Sequence, residues 1–392
     1  MKVADPIARL LRAGHPWIFR EALPRELEGL PPGTVVPVLD DRGHTLGWGL
    51  TEPEGAVAVR MLALTPTLDW NREEIQRRVQ RAKAYREQCI EPANLSACRV
   101  VHGEADGLPG VGVDRLGDYL LIYKYSRCSE RYLDDLVASL EAAWSPRAIY
   151  LQDRLRALTA EERRGGATQL TGRSAPPDFE IEEDGLHFLV DVTAPVSPGL
   201  FLDLREGRRL CERHARGKRV LNLFSFTGAF ALRAVRGGAE SVCNVDAAAR
   251  SHARCRQNLA ASGLDSEACD VVTGDCFKHL ERFRQRARQF DFVVVDPPPF
   301  SNVKGAVFSA LKDWSRLMEA VAPVVAPGGH VFAVCNASRV SDDEFHLALG
   351  EGCHAAGREG RLVGQTGLPP DFPLLPAFGE GRYLKAQLVY LR

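Results

Sequence analysis

The chain has 392 residues, of which 45% are hydrophobic and 26% charged, which is ordinary for a soluble globular protein and enough for two or three domains. Its formal net charge is −1, so a nucleic-acid partner would have to be held by local basic patches and not by overall charge. No apolar run reaches the roughly 18 residues of a membrane span, which excludes a transmembrane helix.

The amino terminus and the cysteines indicate the compartment. The segment MKVADPIARLLRAGHPW lacks the long apolar core and the cleavage site of a signal peptide. The ten cysteines are scattered, without a Cys-x-x-Cys pair or a Cys/His cluster. This pattern predicts a cytoplasmic protein with reduced thiols and no metal site.

Residues 1–70 are predicted to form a small β-rich module. TVVPVLDDRGHTLGWGL contains short strands broken by a turn at Asp40-Asp41-Arg42-Gly43, and AVAVRML adds a further strand. Trp17 and Phe19 are either core anchors or a base-stacking surface. The core role is favoured because aromatic rings bury a large apolar area.

Residues 71–190 are predicted to form a middle region that opens with a long helix. NREEIQRRVQRAKAYREQC has apolar residues at helical spacing and is rich in arginine. A solvated helix face is the favoured interpretation, and an RNA-contacting face is the alternative. If RNA binds, phosphate contacts are expected from arginines of this helix and of the loop EERRGG, namely Arg77, Arg78, Arg81, Arg163 and Arg164.

From residue 191 to residue 392, strand and helix patterns alternate, which predicts a doubly wound α/β sheet. The predicted strands are KRVLNLFSF, ESVCNVDA, CDVVTGD, FDFVVVD, HVFAVCN and YLKAQLVYLR. Helices are expected between them, including one near residues 308–325. Ser341-Asp342-Asp343-Glu344 has the pattern of a capping box that begins a further helix.

The segment FDFVVVDPPPF has the composition of a central parallel strand, since nearly continuous apolar runs suit strands covered on both faces. Pro297 to Pro299 end the strand, because proline cannot continue a ladder. Ligands of open α/β sheets bind beyond the carboxyl ends of the strands. Asp296 is therefore expected at a functional site, with a merely polar strand end as the alternative.

The neighbouring strand ends also carry small or acidic residues. NLFSFTGAFAL contains neither GxGxxG nor a P-loop, but its turn into the next helix is built of small residues, Ser225, Thr227 and Gly228. Asp246 ends the second strand, where an acid commonly accepts the hydroxyls of a ribose. Asp275 follows the third strand and Asp296 the fourth. Together, these four strand ends predict a site for S-adenosylmethionine.

Six segments carry a family resemblance: HPWIF, HGEADGLPGVGVDRLGDY, GLFLDLREGRRL, NLFSFTGAFAL, VVVDPPPF and EGRYLKAQL. With them, almost the whole chain resembles the class I S-adenosylmethionine-dependent 23S rRNA methyltransferases of the cytosine-C5 type. The resemblance implies an α/β fold with three parts: a PUA-like RNA-binding domain (1–70), a small central α/β domain (71–190) and a Rossmann-like methyltransferase domain (191–392). It implies 23S rRNA as the partner and no membrane, and it leaves a homodimer open.

The resemblance also implies roles for individual residues. Cys335 and Asp296 would be catalytic. The base would contact Pro297, Pro298, Phe300 and Asn336, although a core role is the alternative for Phe300. S-adenosylmethionine would contact Asp203, Arg205, Phe224, Ser225, Gly228, Asp246, Asp275 and Asp296. A salt bridge is the alternative role for Arg205.

Three departures from the family pattern leave the target base open. Ser197-Pro198-Gly199 replaces the usual Lys-Thr-Gly, and Leu204 replaces a glutamine. PFSNVK is close to the DPPxFSNxK of a guanine-N7 branch. Cytosine C5 is the first interpretation. The alternatives are an rRNA guanine methyltransferase without a cysteine nucleophile, a small-molecule methyltransferase, and an RNA-binding assembly factor that performs no reaction.

The position of Cys335 bears on this choice. Methylation at cytosine C5 needs a thiolate that adds to C6, whereas guanine N7 is already nucleophilic. The family cysteine is the seventh residue after Gly-Gly, but here Cys335 is the sixth and Asn336 the seventh. A regular strand would turn Cys335 to the opposite face as a structural thiol, and a bulge at Asn336 would let it reach the pocket.

Overall fold

The chain divides into two units, each built from more than one segment. The first comprises Met1–Asp184, Val190–Pro198 and Pro370–Gly381, and the second comprises Gly185–Leu189, Gly199–Pro369 and Arg382–Arg392. The structure is a computed structural model that describes residues 1–23, 27, 29–155, 166–303, 306–310 and 312–392. Among the helices in these ranges, none is long and apolar enough to cross a membrane.

The first unit begins with an antiparallel sheet of four strands. Its elements are α1 (Asp5–Arg12), β1 (Trp17–Phe19), β2 (Val35–Leu39), β3 (Thr45–Thr51) and β4 (Val57–Ala63). The strand order is β1-β4-β3-β2. The turn predicted after β2 is present because Asp40 Oδ1 accepts hydrogen bonds from the backbone N–H groups of Arg42 and His44, at 3.0 and 2.9 Å.

Trp17 is an internal anchor of this unit. Its indole Nε1 donates a hydrogen bond to Glu104 Oε1 at 2.8 Å, and the guanidinium of Arg60 lies 5.0 Å from the ring centroid. Phe378, also in the first unit, packs edge-on against the ring at 4.5 Å between centroids. These contacts support the core role and not the base-stacking role.

The first unit also contains a five-stranded sheet, with helices and a further strand outside it. The elements are α2 (Arg72–Cys89), β5 (Ala97–His102), β6 (Val111–Leu116), β7 (Tyr119–Lys124), α3 (Leu133–Trp144), β8 (Ala148–Asp153), β9 (Thr168–Gly172) and β10 (Phe179–Glu183). The strand order is β5-β6-β7-β8-β9, in which only the pair β7–β8 is parallel among the described strands. Leu50 and Leu62 of the first sheet belong to the same apolar core as Ile75 and Val79 of α2.

The arginines of α2 do not form one open basic face. Arg78 is 7% exposed, and its guanidinium bonds Glu74 at 2.6 Å and the carbonyl oxygens of Leu62 and Gly107. The expected phosphate contact from Arg78 is therefore wrong, because the side chain is already used inside the unit. Arg77 pairs with the same Glu74 from the surface. Arg163 and Arg164 lie outside the described residues.

The second unit contains the predicted doubly wound sheet. Its elements are β11 (Leu186–Val190), α4 (Arg205–Ala215), β12 (Arg219–Leu223), α5 (Ala229–Arg236), β13 (Ser241–Asp246), α6 (Ala249–Ala261), β14 (Cys269–Thr273), α7 (Cys276–Gln285), β15 (Phe290–Val295), β16 (Phe300–Val303), β17 (Ala306–Ser309), α8 (Trp314–Val321), β18 (Val325–Cys335), α9 (Asp342–Ala355), β19 (Gly360–Thr366) and β20 (Lys385–Leu391). The strand order β14-β13-β12-β15-β18-β20-β19 confirms β15 as the central strand.

Local details differ from the sequence prediction in two places. The helix expected near residues 308–325 begins only at Trp314, because residues 306–309 pair with β16 and Asp313 Oδ2 accepts a hydrogen bond from Ser309 N at 2.7 Å. Strand β19 was not predicted. The capping box is confirmed, with Ser341 N donating to Glu344 Oε2 at 2.7 Å and Glu344 N donating to Ser341 Oγ at 3.2 Å.

Candidate active site

Three buried polar atoms lie without a partner at the ends of three adjacent parallel strands. Ser225 Oγ follows β12, Asp296 Oδ1 follows β15 and Asn336 Oδ1 follows β18, and none of the three has a hydrogen-bond partner within the described chain. Buried polar atoms in folded proteins nearly always form hydrogen bonds, so three such atoms at adjacent strand ends indicate a site where a ligand forms these bonds. The carboxyl edge of the sheet is where a ligand is expected.

The turn after β12 has an unusual backbone. Phe224, Phe226 and Gly228 have φ values of 57°, 45° and 80°, in the left-handed region that favours glycine. A Cβ on Gly228 would collide with the sulfur of Cys255 in α6. We expected Gly228 to let a ligand approach the backbone, but its bare Cα also serves the packing of the turn against α6.

Asp246 holds this turn from the next strand. Its Oδ2 accepts a hydrogen bond from Phe226 N at 2.9 Å, and its Oδ1 accepts one from Ala248 N at 2.8 Å. Each oxygen keeps a further lone pair, so the carboxylate can still accept the hydroxyls of a ribose. Asp275 is the N-cap of α7, where its Oδ1 accepts a hydrogen bond from Lys278 N at 3.0 Å.

Asp296 is a carboxyl group that burial keeps from ionising readily. Burial, and after it the charge of Asp203, raises the pKa of Asp296 to about 7, while Arg208 acts in the opposite direction. Asp203 itself accepts a hydrogen bond from the hydroxyl of Tyr383 at 2.8 Å. Arg205 is 2% exposed at the start of α4. Asp203 and Arg208 therefore act on Asp296 with charges of opposite sign.

The prolines after Asp296 lead into the hairpin of β16 and β17. Pro297 is buried and Pro298 is exposed, and Pro299 O accepts a hydrogen bond from Ala310 N at 3.0 Å. The side chain of Phe300, predicted to contact the base, lies outside the described part of the structure. The prolines thus provide a stiff wall without free N–H groups next to Asp296.

Cys335 belongs to the apolar core. Strand β18 pairs with β20 without a register shift from His330 to Cys335. Val331, Ala333 and Cys335 alternate into one core with Trp314, and Cys335 is fully buried. Burial raises the pKa of its thiol. A regular strand was the condition under which Cys335 was expected to be a structural thiol. The buried polar atom without a partner at the end of β18 is Oδ1 of Asn336, among the described residues.

Sequence reasoning missed two residues of this region. His252, in the first turn of α6, is 4% exposed, and neither ring nitrogen has a hydrogen-bond partner among the described residues. No sequence motif pointed to His252. Tyr383 lies in the segment EGRYLKAQL, which was noted for its resemblance, and only the folded chain brings its hydroxyl to Asp203.

Two family models match this chain. A model described as S-adenosylmethionine-dependent methyltransferase matches residues 105–388, and a model described as PUA-like domain matches residues 1–64. Curated relatives match nearly the full length. The ribosomal RNA large subunit methyltransferase I of Photobacterium profundum is 30% identical over 97% of this chain and 96% of its own. That of Shewanella denitrificans is 32% identical over 96% and 95%.

Solved structures share the fold. A SAM-dependent methyltransferase from Streptococcus mutans superposes with a TM-score of 0.88 and 24% identity, over 100% of this chain and 99% of its own. A methyltransferase crystallised with SAH gives a TM-score of 0.90 at the same identity and coverage. The atoms of Ser225 and Asp296 that lack a partner in the described chain and the spare lone pairs of Asp246 fit a polar nucleoside ligand at the carboxyl edge of the sheet of this chain.

Proposed function

The chain belongs to the S-adenosylmethionine-dependent methyltransferases, in the family of the ribosomal RNA large subunit methyltransferases I, and we propose that it methylates a base of 23S rRNA. The likeness over 97% of the chain carries the proposal, because it includes the amino-terminal PUA-like module. A small substrate would need no such module. The cytoplasmic location and the homodimer that the sequence leaves open stay predictions.

The proposed cofactor contacts come from the ends of β12, β13 and β14 and from the turn that leads into α4. S-adenosylmethionine supplies an electrophilic methyl group when bound. In this proposal Asp246 accepts the ribose hydroxyls and Asp275 contacts the adenine edge. Ser225 Oγ, which has no hydrogen-bond partner among the described residues, forms a hydrogen bond with the cofactor in this proposal. Phe224 and Gly228 set the backbone conformation of the same turn. At the other end of the cofactor, the methionine part is bounded by Asp203 and Arg205.

The proposed base contacts follow from the remaining orphan atoms. A base inside a duplex cannot reach a methyl donor at the edge of a sheet, so the target must be unpaired or flipped. Asp296 Oδ1 and Asn336 Oδ1 are then available for its polar edge. Pro297, Pro298 and Phe300 would form the adjoining wall.

Cytosine C5 is the first candidate for the methylated atom, on the resemblance of the whole chain. It requires the thiolate of Cys335 to add to C6, so that C5 gains nucleophilic character and takes the methyl group. A base then removes the C5 proton, the thiolate leaves C6, and the C5–C6 double bond is restored. A guanine nitrogen is the second candidate, and a specific observation favours it. Cys335 is fully buried in the core, burial raises its pKa, and a nitrogen nucleophile needs no thiol.

One experiment tests the proposal and separates the candidates. Purified protein is incubated with unmodified 23S rRNA transcript and radiolabelled S-adenosylmethionine, and the modified nucleoside is identified by mass spectrometry. Methylcytidine supports the first candidate, and methylguanosine the second. If no nucleoside of the rRNA is labelled while a small molecule from a cell extract is, the proposal is wrong.

A further inference from the structure

Phe201 and Phe226 form an aromatic pair in the second unit that the cofactor contacts do not use. Their ring centroids lie 5.6 Å apart with an interplanar angle of 45°. Phe201 is 48% exposed and Phe226 is half-buried. An exposed ring does not gain the hydrophobic free energy that burial of its surface would give, so the pair is not an ordinary core contact.

The backbone on both sides of this pair is fixed. Arg208 Nη1 donates a hydrogen bond to Phe201 O at 2.7 Å, and Thr227 Oγ1 donates one to Gly199 O at 2.7 Å. Phe226 adopts a φ of 45°, which costs a bulky residue conformational energy, and its N–H is held by Asp246. The backbone that carries the two rings is therefore held in position by hydrogen bonds.

The pair lies near the end of the central strand. Asp203, two residues after Phe201, and Arg208 both carry charges within electrostatic reach of Asp296. Asp275, where the adenine of the cofactor is expected, follows β14, which is three strands away from β15 in the sheet. Phe226 follows β12, whose Leu223 pairs with Val295 directly before Asp296. Since the two rings are in contact, both belong to segments next to the end of β15.

We propose that Phe201 and Phe226 stack against the target base of the RNA once it has left its own stack. Unpaired bases bind to aromatic side chains because every base has a flat π face. The pair would replace the neighbours that the base loses on flipping, while Asp296 and Asn336 contact its polar edge. This inference rests on the proposed function, because it requires a nucleobase as the methyl acceptor.

The test uses Phe201→Ala, Phe201→Leu and Phe201→Trp in the full chain, with Leu347→Ala as control, since Leu347 is an exposed apolar residue of α9 (64% exposed). Cofactor affinity is measured by calorimetry and methyl transfer with 23S rRNA transcript. We expect Phe201→Ala and Phe201→Leu to lower kcat/KM for RNA about 5- to 150-fold, the range of base–aromatic stacking. Phe201→Trp and Leu347→Ala should stay near wild type, and no variant should change cofactor affinity.

Two results would overturn the inference while the wild type is active on rRNA. Cofactor affinity that weakens as much as RNA turnover would mean that the ring holds the cofactor and not the base. Unchanged kcat/KM in Phe201→Leu, which keeps the bulk without the π face, would mean that stacking plays no part. A wild type that methylates no rRNA would instead overturn the proposed function itself.

Discussion

Burial and the neighbouring carboxylate of Asp203 together raise the pKa of Asp296 from 3.8 to about 7. The two residues come from different segments, Asp203 from the turn before α4 and Asp296 from the end of β15. Asp296 Oδ1 has no hydrogen-bond partner in the described chain, so the charge of Arg208 offsets only part of the loss of water around the charged form.

This relationship predicts a pH dependence of stability. The folded protein binds the proton of Asp296 more tightly than the unfolded chain does, so its contribution is complete below a pH of about 4 and is lost as the pH rises towards about 7. Asp296→Asn removes the titration. The difference in unfolding free energy between Asp296→Asn and wild type should therefore grow in favour of the variant over this pH range, as measured by urea unfolding. Parallel pH profiles would contradict the raised pKa.

Asp246→Ala should weaken S-adenosylmethionine binding by roughly 1–3 kcal/mol, the cost of leaving buried polar groups unpaired. The substitution removes the acceptor of Phe226 N and Ala248 N as well as the proposed ribose contact. Calorimetry measures the effect, with Asp270→Ala as the control because Asp270 forms an exposed ion pair with Arg288. Equal affinities of the two variants would remove Asp246 from the cofactor site.

Arg78 and Arg77 should differ sharply although both bind Glu74. Arg78→Ala breaks a buried ion pair and should lower the unfolding free energy by roughly 3–5 kcal/mol. Arg77 is 59% exposed at its side chain, so Arg77→Ala should cost less than about 1 kcal/mol. Urea unfolding of both variants measures the two losses of unfolding free energy. Similar losses would show that Arg78 is not the internal residue described above.

Cys335→Ala separates the structural role of this thiol from a catalytic one. As a fully buried core residue, Cys335 should contribute roughly 1 kcal/mol to stability, similar to one buried methyl group. Transfer to rRNA should survive if a guanine nitrogen is the acceptor, and should be abolished if cytosine C5 is. A covalent complex with RNA that contains 5-fluorocytosine, formed by the wild type and absent in the variant, would identify Cys335 as the nucleophile.

The sequence predicted the doubly wound sheet and the residues at its strand ends because both follow from local patterns. Apolar runs that end in acids or prolines mark strand ends, and parallel strands bring those ends to one edge. The neighbourhood of Asp203 and Asp296 depends on how segments far apart in the chain fold together, and no periodicity encodes it.

The burial of Arg78, strand β19 and the burial of His252 could not be predicted from the sequence, for physical reasons. Arg78 is buried by contacts with Leu62 and Gly107, which lie outside its helix, so its position in a basic run was misleading. Strand β19 is a sheet edge whose residues are largely exposed, and it therefore lacks the apolar run of a buried strand. His252 sits in no motif, and only its burial without a described partner draws attention to it.

The most direct test of the central claim is a comparison of 23S rRNA from a wild-type strain and a strain that lacks the gene, by mass-spectrometric mapping of modified nucleotides. The proposed function predicts that one nucleotide loses the mass of one methyl group in the deletion strain, that the gene restores it, and that an Asp246→Ala copy restores less of it. Identical modification maps of 23S rRNA in the two strains would contradict the claim.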